Sequence, residues 1–184
     1  NPRCVAAIWR RQPLNSFQNW INTLKPALLP AFRVVLQPKV VKKAIENIVE
    51  IKGIPNCKER SILVDDISAL ANMFAIIVQT SYVKLTLDTV SNNGLIKFQR
   101  DNFKVRLICT YRGGSAHYRV SMNGNEPSEI YNVPTGSPIM MRGTLWPECT
   151  QSGLLYRSPP MEDSDETSLV IILDLIEGLE MQGH

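Results

Sequence analysis

Two well-separated segments concentrate the residue types that bind and polarise small molecules. The first runs from Phe98-Gln99-Arg100-Asp101-Asn102 into Val105-Arg106-Leu107-Ile108-Cys109-Thr110-Tyr111-Arg112-Gly113-Gly114, and the second is Leu155-Tyr156-Arg157-Ser158-Pro159-Pro160. Arginine is the side chain best shaped to grip a carboxylate or phosphate, because its planar fork donates two parallel hydrogen bonds. Arg106, Arg112 and Arg157 lie on or beside strand-like runs, where they can converge on an anionic ligand; the competing reading pairs Arg106 and Arg112 with Glu or Asp on a wet strand face. Asp101 reads either as an oxygen ligand for a metal or as a turn residue beside Asn102. His117 is one of two histidines, the other being His184. It is the one plausible imidazole ligand or general base, unless it is a surface residue following the Gly113-Gly114-Ser115 turn.

Several other chemistries are excluded. Gly113-Gly114-Ser115 has neither the Lys-Ser/Thr nor the following helix of a phosphate loop and reads as a hairpin turn. There is no Gly-x-Ser-x-Gly elbow, and Ser158 stands in a rigid prolyl loop with no histidine near it in sequence, which disfavours serine hydrolysis. Cys4, Cys57, Cys109 and Cys149 form no CxxC pair, so no zinc ribbon or redox dithiol is indicated. They read as free thiols, with Cys109 alternating with Val105, Leu107 and Tyr111 towards a core. A reducing, cytoplasmic setting is expected, since no secretory leader is recognisable. The net charge of +3 does not point to nucleic acid, and Arg10-Arg11 and Lys39, Lys42 and Lys43 read as solvated faces. The longest apolar run, Met73 to Val78, falls short of the ~20 residues that cross a bilayer, so no membrane is expected as a partner.

The elements that must position these residues change character midway. With 184 residues, 44% of them apolar and 20% charged, one cooperative soluble domain is expected, helical over residues 1–80 and strand-rich over 81–184. Ser16 can cap a first helix carrying Phe17, Trp20, Ile21 and Leu24, which Pro26 ends or kinks. Pro38 opens a second, whose apolar positions Val40, Val41, Ala44, Ile45, Ile48 and Val49 lead to Gly53 as terminator. A third, from about Asn56 to Gln79, carries the strongest stripe: Ile62, Leu63, Ile67, Leu70, Ala71, Phe74, Ile77 and Val78. From Tyr82 the period falls to two, and strands are predicted at Val83–Leu87, Lys104–Arg112, about Tyr118–Met122, Ile139–Arg142, Leu154–Arg157 and Leu169–Ile176. Short strands without intervening helices predict an antiparallel sandwich or barrel.

The runs Arg106-Leu107-Ile108-Cys109-Thr110-Tyr111-Arg112-Gly113 and Arg157-Ser158-Pro159-Pro160, with Asp101 ahead of them, resemble the bacterial family known as domain of unknown function eighteen-twenty-six. That family's pattern is Phe-His-x-Asp, Arg-Leu-x-x-Thr-Tyr-Arg-Gly and His-Arg-Ser-Pro-Pro. The departures fall on the chemistry: Leu95 stands in place of a cysteine, and Gln99 and Tyr156 stand in place of the two histidines. The resemblance implies a scaffold like that of non-haem iron oxygenases, in which two imidazoles and a carboxylate hold the metal and an arginine holds a cosubstrate carboxylate. A glutamine amide is a feeble ligand for such metals, and a phenol, with a reference pKa of about 10, must first lose its proton.

The expected protein is thus α+β, with N-terminal helices packed on a C-terminal antiparallel double-stranded β-helix, a cupin-like barrel. Its pocket would bind a small polar or anionic molecule through Gln99, Asp101, Arg106, Tyr111, Arg112, Tyr156, Arg157 and Ser158, with no cofactor. The alternative is an active iron-dependent oxygenase with iron or zinc on an atypical set, Asp101 with His117 or Tyr156.

Overall fold

The computed structural model describes residues 5–90, 103–120, 130–146, 154–157 and 167–176, the four residues 154–157 through their backbone course. Among the described residues three α-helices form, α1 (Asn15–Thr23), α2 (Val41–Ile51) and α3 (Lys58–Val78). Nine strands accompany them: β1 (Ala6–Ile8), β2 (Phe32–Leu36), β3 (Val83–Val90), β4 (Val105–Arg112), β5 (Ala116–Val120), β6 (Tyr131–Val133), β7 (Ile139–Arg142), β8 (Leu154–Arg157) and β9 (Ser168–Leu175).

Each helix follows from its local sequence, with one change at the first. Ser16 lies inside α1 rather than capping it; the cap position is Leu14, which offers no side-chain bond. The chain enters the helix early because the preceding residues are already docked, the Arg11 backbone exchanging hydrogen bonds with the Ser137 hydroxyl. Pro26 opens a short 3-10 turn after α1 has ended. At α3 the Cys57 sulfur caps by accepting from the Arg60 N–H. Although no apolar run of bilayer length is evident by eye, α3 as a whole has the length and composition to span one, with a mean hydropathy of 1.8 over its apolar window. Its stripe, Leu63, Val64, Ile67, Leu70, Ala71, Phe74 and Ala75, is buried in the protein's own core.

The strands form two antiparallel sheets, one ordered β1-β7-β4-β9-β3-β2 and the other β6-β5-β8. β1 and β2, both from the first 80 residues, supply the two edges of the larger sheet, so the helical half is stitched into the strand half. Among the described residues no strand of one sheet pairs with a strand of the other, so the expected barrel is present as two sheets and is not closed.

Alternation gives the large sheet two different faces. Val83, Leu85 and Leu87 of β3, Val105, Leu107 and Cys109 of β4, and Leu169, Ile171 and Leu173 of β9 share one core cluster with the buried residues of all three helices. The opposite face carries Ile108, Ile139, Met141, Val170 and Ile172, which cluster with Ala116, Val133 and Tyr118 of the small sheet. We call this second face inner, because it looks towards the small sheet.

Candidate functional site

Among the described residues, most of those that are buried and polar or charged lie on the inner face. Thr86, Thr110, Ser168 and Asp174 are four of the five buried polar or charged residues among those described, and all occupy inner positions of β3, β4 and β9. The helix-facing side of the same strands is apolar apart from the far end of β4. A row of charge crosses the inner face, since register places Lys84 beside Asp174 and Asp174 beside Arg106. Arg106 grips Asp174 with two bonds, Nε to Oδ1 at 2.6 Å and Nη2 to Oδ2 at 3.1 Å. Only 18% and 11% of these two side chains meet solvent. The Phe103 ring lies 4.6 Å from the Arg106 guanidinium carbon and covers the pair.

On the helix side, Asp66 of α3 gathers a second constellation. Its carboxylate accepts both Nη groups of Arg11 at 2.5 Å and the Tyr111 hydroxyl at 2.6 Å. Arg11 also donates through Nε to the Gly136 carbonyl and approaches the Cys109 sulfur at 3.8 Å. The Phe17 ring meets the Tyr111 ring edge-on with centroids 6.2 Å apart. Burial lowers the Arg11 pKa, but its hydrogen bonds to Asp66 and that residue's charge outweigh burial, and the net shift is upward. Burial pushes the Cys109 thiol up to about 12 against the opposing charge of Arg11, and pushes Tyr111 well above its ordinary value, so both stay neutral. A small cavity of about 140 Å³ adjoins this cluster.

The predicted site residues therefore separate. Arg106 lies on the inner face. Tyr111 follows Cys109 onto the helix face by alternation, and Arg112 joins it there because a bulge after Thr110 shifts the register: Thr110 pairs with Val170, whereas Arg112 pairs with Leu169. Arg112 spends its guanidinium on the carbonyls of Leu24, at 2.5 Å, and Ile21, at 3.3 Å, closing the end of α1. His117 alternates with Ala116 and Tyr118, which pack between the sheets, and so occupies the other face of β5. Register sets Arg157 opposite His117 and Tyr156 opposite Tyr118. Gln99, Asp101 and Ser158 lie outside the described residues.

Arg11 and Asp66 form a part-buried ion pair that no sequence motif contains. Arg11 is not part of a solvated basic face: it turns inward because Asp66 offers a carboxylate there. The signal was present, for Asp66 stands four residues from both Ile62 and Leu70 and is thus an acid within an apolar stripe.

The residues present do not fit the iron centre that the scaffold suggests. Among the described residues no three His, Cys, Asp or Glu side chains approach closely enough to hold a metal. The chemistry of Gln99, Asp101 and Tyr156 offers one carboxylate, a weak neutral amide and a phenol.

The chain belongs to the family described as Protein of unknown function (DUF1826), which matches residues 1–174. The sequence matches no curated protein. Among solved structures it is similar to the dioxygenase for auxin oxidation 1 from Arabidopsis thaliana in a binary complex with 2-oxoglutarate. That likeness has a TM-score of 0.51 at 9% identity, covering 93% of this chain and 68% of the plant chain. The dioxygenase for auxin oxidation in rice gives 0.45 at 13% identity, covering 89% and 64%. The hydroxypropylphosphonic acid epoxidase of S. wedmorenis gives 0.33 at 12%, covering 50% and 43%. At 9% identity the likeness to the Arabidopsis structure shows the fold alone, that of an α+β protein with antiparallel sheets.

Proposed function

We propose that this protein binds a small carboxylate-bearing anion between its two sheets, on a double-stranded β-helix scaffold and without a bound metal. The observation that carries the proposal is the concentration of buried polarity on the inner face, Thr86, Thr110, Ser168 and the Arg106–Asp174 pair. An interior wall that served packing alone would be as apolar as the opposite face of the same strands. Lys84 and Arg106 against Asp174 leave this row one positive charge in excess, which favours an anion. Tyr156, opposite Tyr118 in register, completes the lining with Gln99, Asp101 and Ser158, whereas Arg157 is paired with His117 and falls on the other face. Tyr111 and Arg112 act through the scaffold, their polar atoms being engaged on the helix side.

An iron oxygenase built on Asp101 and His117 is the weaker reading. It needs His117 to turn into the space between the sheets, against the strand alternation that sends Ala116 and Tyr118 there.

Calorimetric titration of the purified chain with succinate and 2-oxoglutarate, alongside elemental analysis of protein from iron-supplemented cells, tests the proposal. One-to-one binding by metal-free protein is expected, weakened about tenfold or more by Lys84→Ala, the loss of the row's excess charge. Absence of dicarboxylate binding refutes the anion assignment. Stoichiometric iron that is lost in Asp101→Ala refutes the metal-free assignment.

A further inference from the structure

On the helix side of the large sheet, away from the inner face, lies the small cavity of about 140 Å³ beside Asp66. Pro13, Leu14, Phe17 and Ile62 supply its apolar lining, and Arg11 and Asp66 line it as well. An engineered apolar cavity of about 150 Å³ binds benzene, so this volume suits a ligand of one small ring. The surrounding chain is held in place. The Arg11 backbone exchanges hydrogen bonds with the Ser137 hydroxyl, the Gly136 N–H donates to the Thr110 carbonyl at 2.7 Å, and a Cβ on Gly136 would overlap Pro13. Little ordering therefore opposes the entry of a ligand.

Both side chains of the ion pair have hydrogen-bonding positions left open among the described residues. Arg11 Nε donates to Gly136, Nη2 donates to Asp66 Oδ2 and approaches the Cys109 sulfur, and one Nη1 proton goes to Asp66 Oδ1. Asp66 Oδ2 also accepts from the Tyr111 hydroxyl, whereas Oδ1 accepts from Arg11 Nη1 alone. The second Nη1 proton and one lone pair of Oδ1 remain, on two atoms 2.5 Å apart. The Trp9 ring lies over the guanidinium at 5.4 Å, which covers its plane and leaves its edge. This pair is not sealed, since 24% of the Arg11 side chain and 22% of the Asp66 side chain stay accessible.

The two charges cancel, so a charged ligand would lose hydration here without a net opposite charge to meet it. A neutral group with a donor beside an acceptor suits the open edge. The nitrogen and oxygen of one amide lie about 2.3 Å apart by their bond lengths, close to the spacing of Nη1 and Oδ1, and in a cis-amide the N–H and C=O point to the same side.

We infer that this cavity binds a small uncharged cyclic amide, independently of the space between the sheets. The ligand ring lies against Leu14, Phe17 and Ile62, its carbonyl accepts from Arg11 Nη1, and its N–H donates to Asp66 Oδ1.

The test is a nuclear magnetic resonance titration of the full chain with δ-valerolactam, a small ring carrying a cis-amide, followed through the amides of Leu14, Phe17 and Gly136. Saturable shifts with a Kd of about 1 mM are expected. The N-methyl derivative has no N–H to donate and should bind about tenfold more weakly, as should valerate, whose charge repels Asp66. Leu14→Trp fills the cavity from a position that is 60% exposed and makes no cap bond, and should abolish the shifts. Succinate should leave the lactam titration unchanged, because its proposed site is on the opposite face. No saturable shift at about 10 mM lactam overturns the inference. Equal affinity for the N-methyl derivative or for valerate overturns the amide assignment. An unchanged titration in Leu14→Trp, or competition by succinate, overturns the location.

Discussion

Replacing Asp66 by alanine removes three hydrogen bonds at once, and the structure sets the cost. The Tyr111 hydroxyl is fully buried and has Asp66 Oδ2 as its acceptor at 2.6 Å, so its loss strands a buried donor at about 1–3 kcal/mol. The two Arg11 bonds are charged, but 24% of the Arg11 side chain and 22% of the Asp66 side chain meet solvent, which discounts them to about 1–2 kcal/mol together. Arg11 retains its bond to Gly136. The sum is about 2–5 kcal/mol, or a fall in Tm of roughly 4–20 °C at about 2–4 °C per kcal/mol for a chain of this size. Urea denaturation reads it as a lowered midpoint at unchanged slope. Tyr111→Phe should cost about 1–2 kcal/mol alone and nearly nothing in the Asp66→Ala background, where its hydroxyl has already lost its acceptor. A cost below about 1 kcal/mol for Asp66→Ala, or additivity within about 0.5 kcal/mol in the cycle, refutes the reasoning.

Arg112→Ala should cost about 1 kcal/mol by uncovering the Ile21 and Leu24 carbonyls, with faster amide exchange confined to the end of α1. Arg106→Ala or Asp174→Ala alone should cost about 3–5 kcal/mol in urea by leaving a buried charge unpaired, whereas the double variant Arg106→Met with Asp174→Leu should recover most of that loss. Burial raises the Cys109 pKa from 9.0 to about 12 in the folded state, so the contribution is complete below pH 9 and is lost as pH climbs towards 12. The unfolded chain releases the thiol proton first, and stability falls by up to about 1.4 kcal/mol per pH unit. Denaturation midpoints of Cys109→Ala measured from pH 8 to 10.5 should show a shallower decline than the wild type; an identical decline refutes the assignment.

Periodicity made much of the fold legible. The stripe of α3 and the alternation in β3, β4 and β9 recur in the structure within a residue or two, because those segments bury one face apiece and the pattern records which. The edge strands escaped notice for the same reason. β1 has three residues and β2 alternates only weakly between half-buried and exposed positions, so neither carries a full buried face to be read. Arg11 and Asp66 are invisible to motif logic because 55 residues separate them and only the packing of the N-terminal segment on α3 joins them. Cys109 was legible, since its alternation with Val105 and Leu107 decides its face whatever it touches.

The arginine strand shows how one inserted residue redistributes chemistry. On a regular strand Arg106, Ile108, Thr110 and Arg112 would share a face, and two guanidinium groups would enter the inner wall. The bulge after Thr110 turns Arg112 to the helix side with Tyr111, and β4 then ends at Gly113, whose φ of +104° suits glycine. A Cβ there would come within 2.7 Å of the Ser168 Cβ, so the close approach to β9 pins the register. The inner row is left with Lys84 and Arg106 against Asp174, one positive charge in excess and enough for one ligand carboxylate. Arg157, paired in register with His117, does not join this row. Lys84→Ala leaves the row neutral and should therefore cost succinate and a singly charged analogue such as butyrate about tenfold each. A loss confined to succinate in calorimetry would mean that Lys84 meets a second carboxylate and would refute the one-carboxylate row.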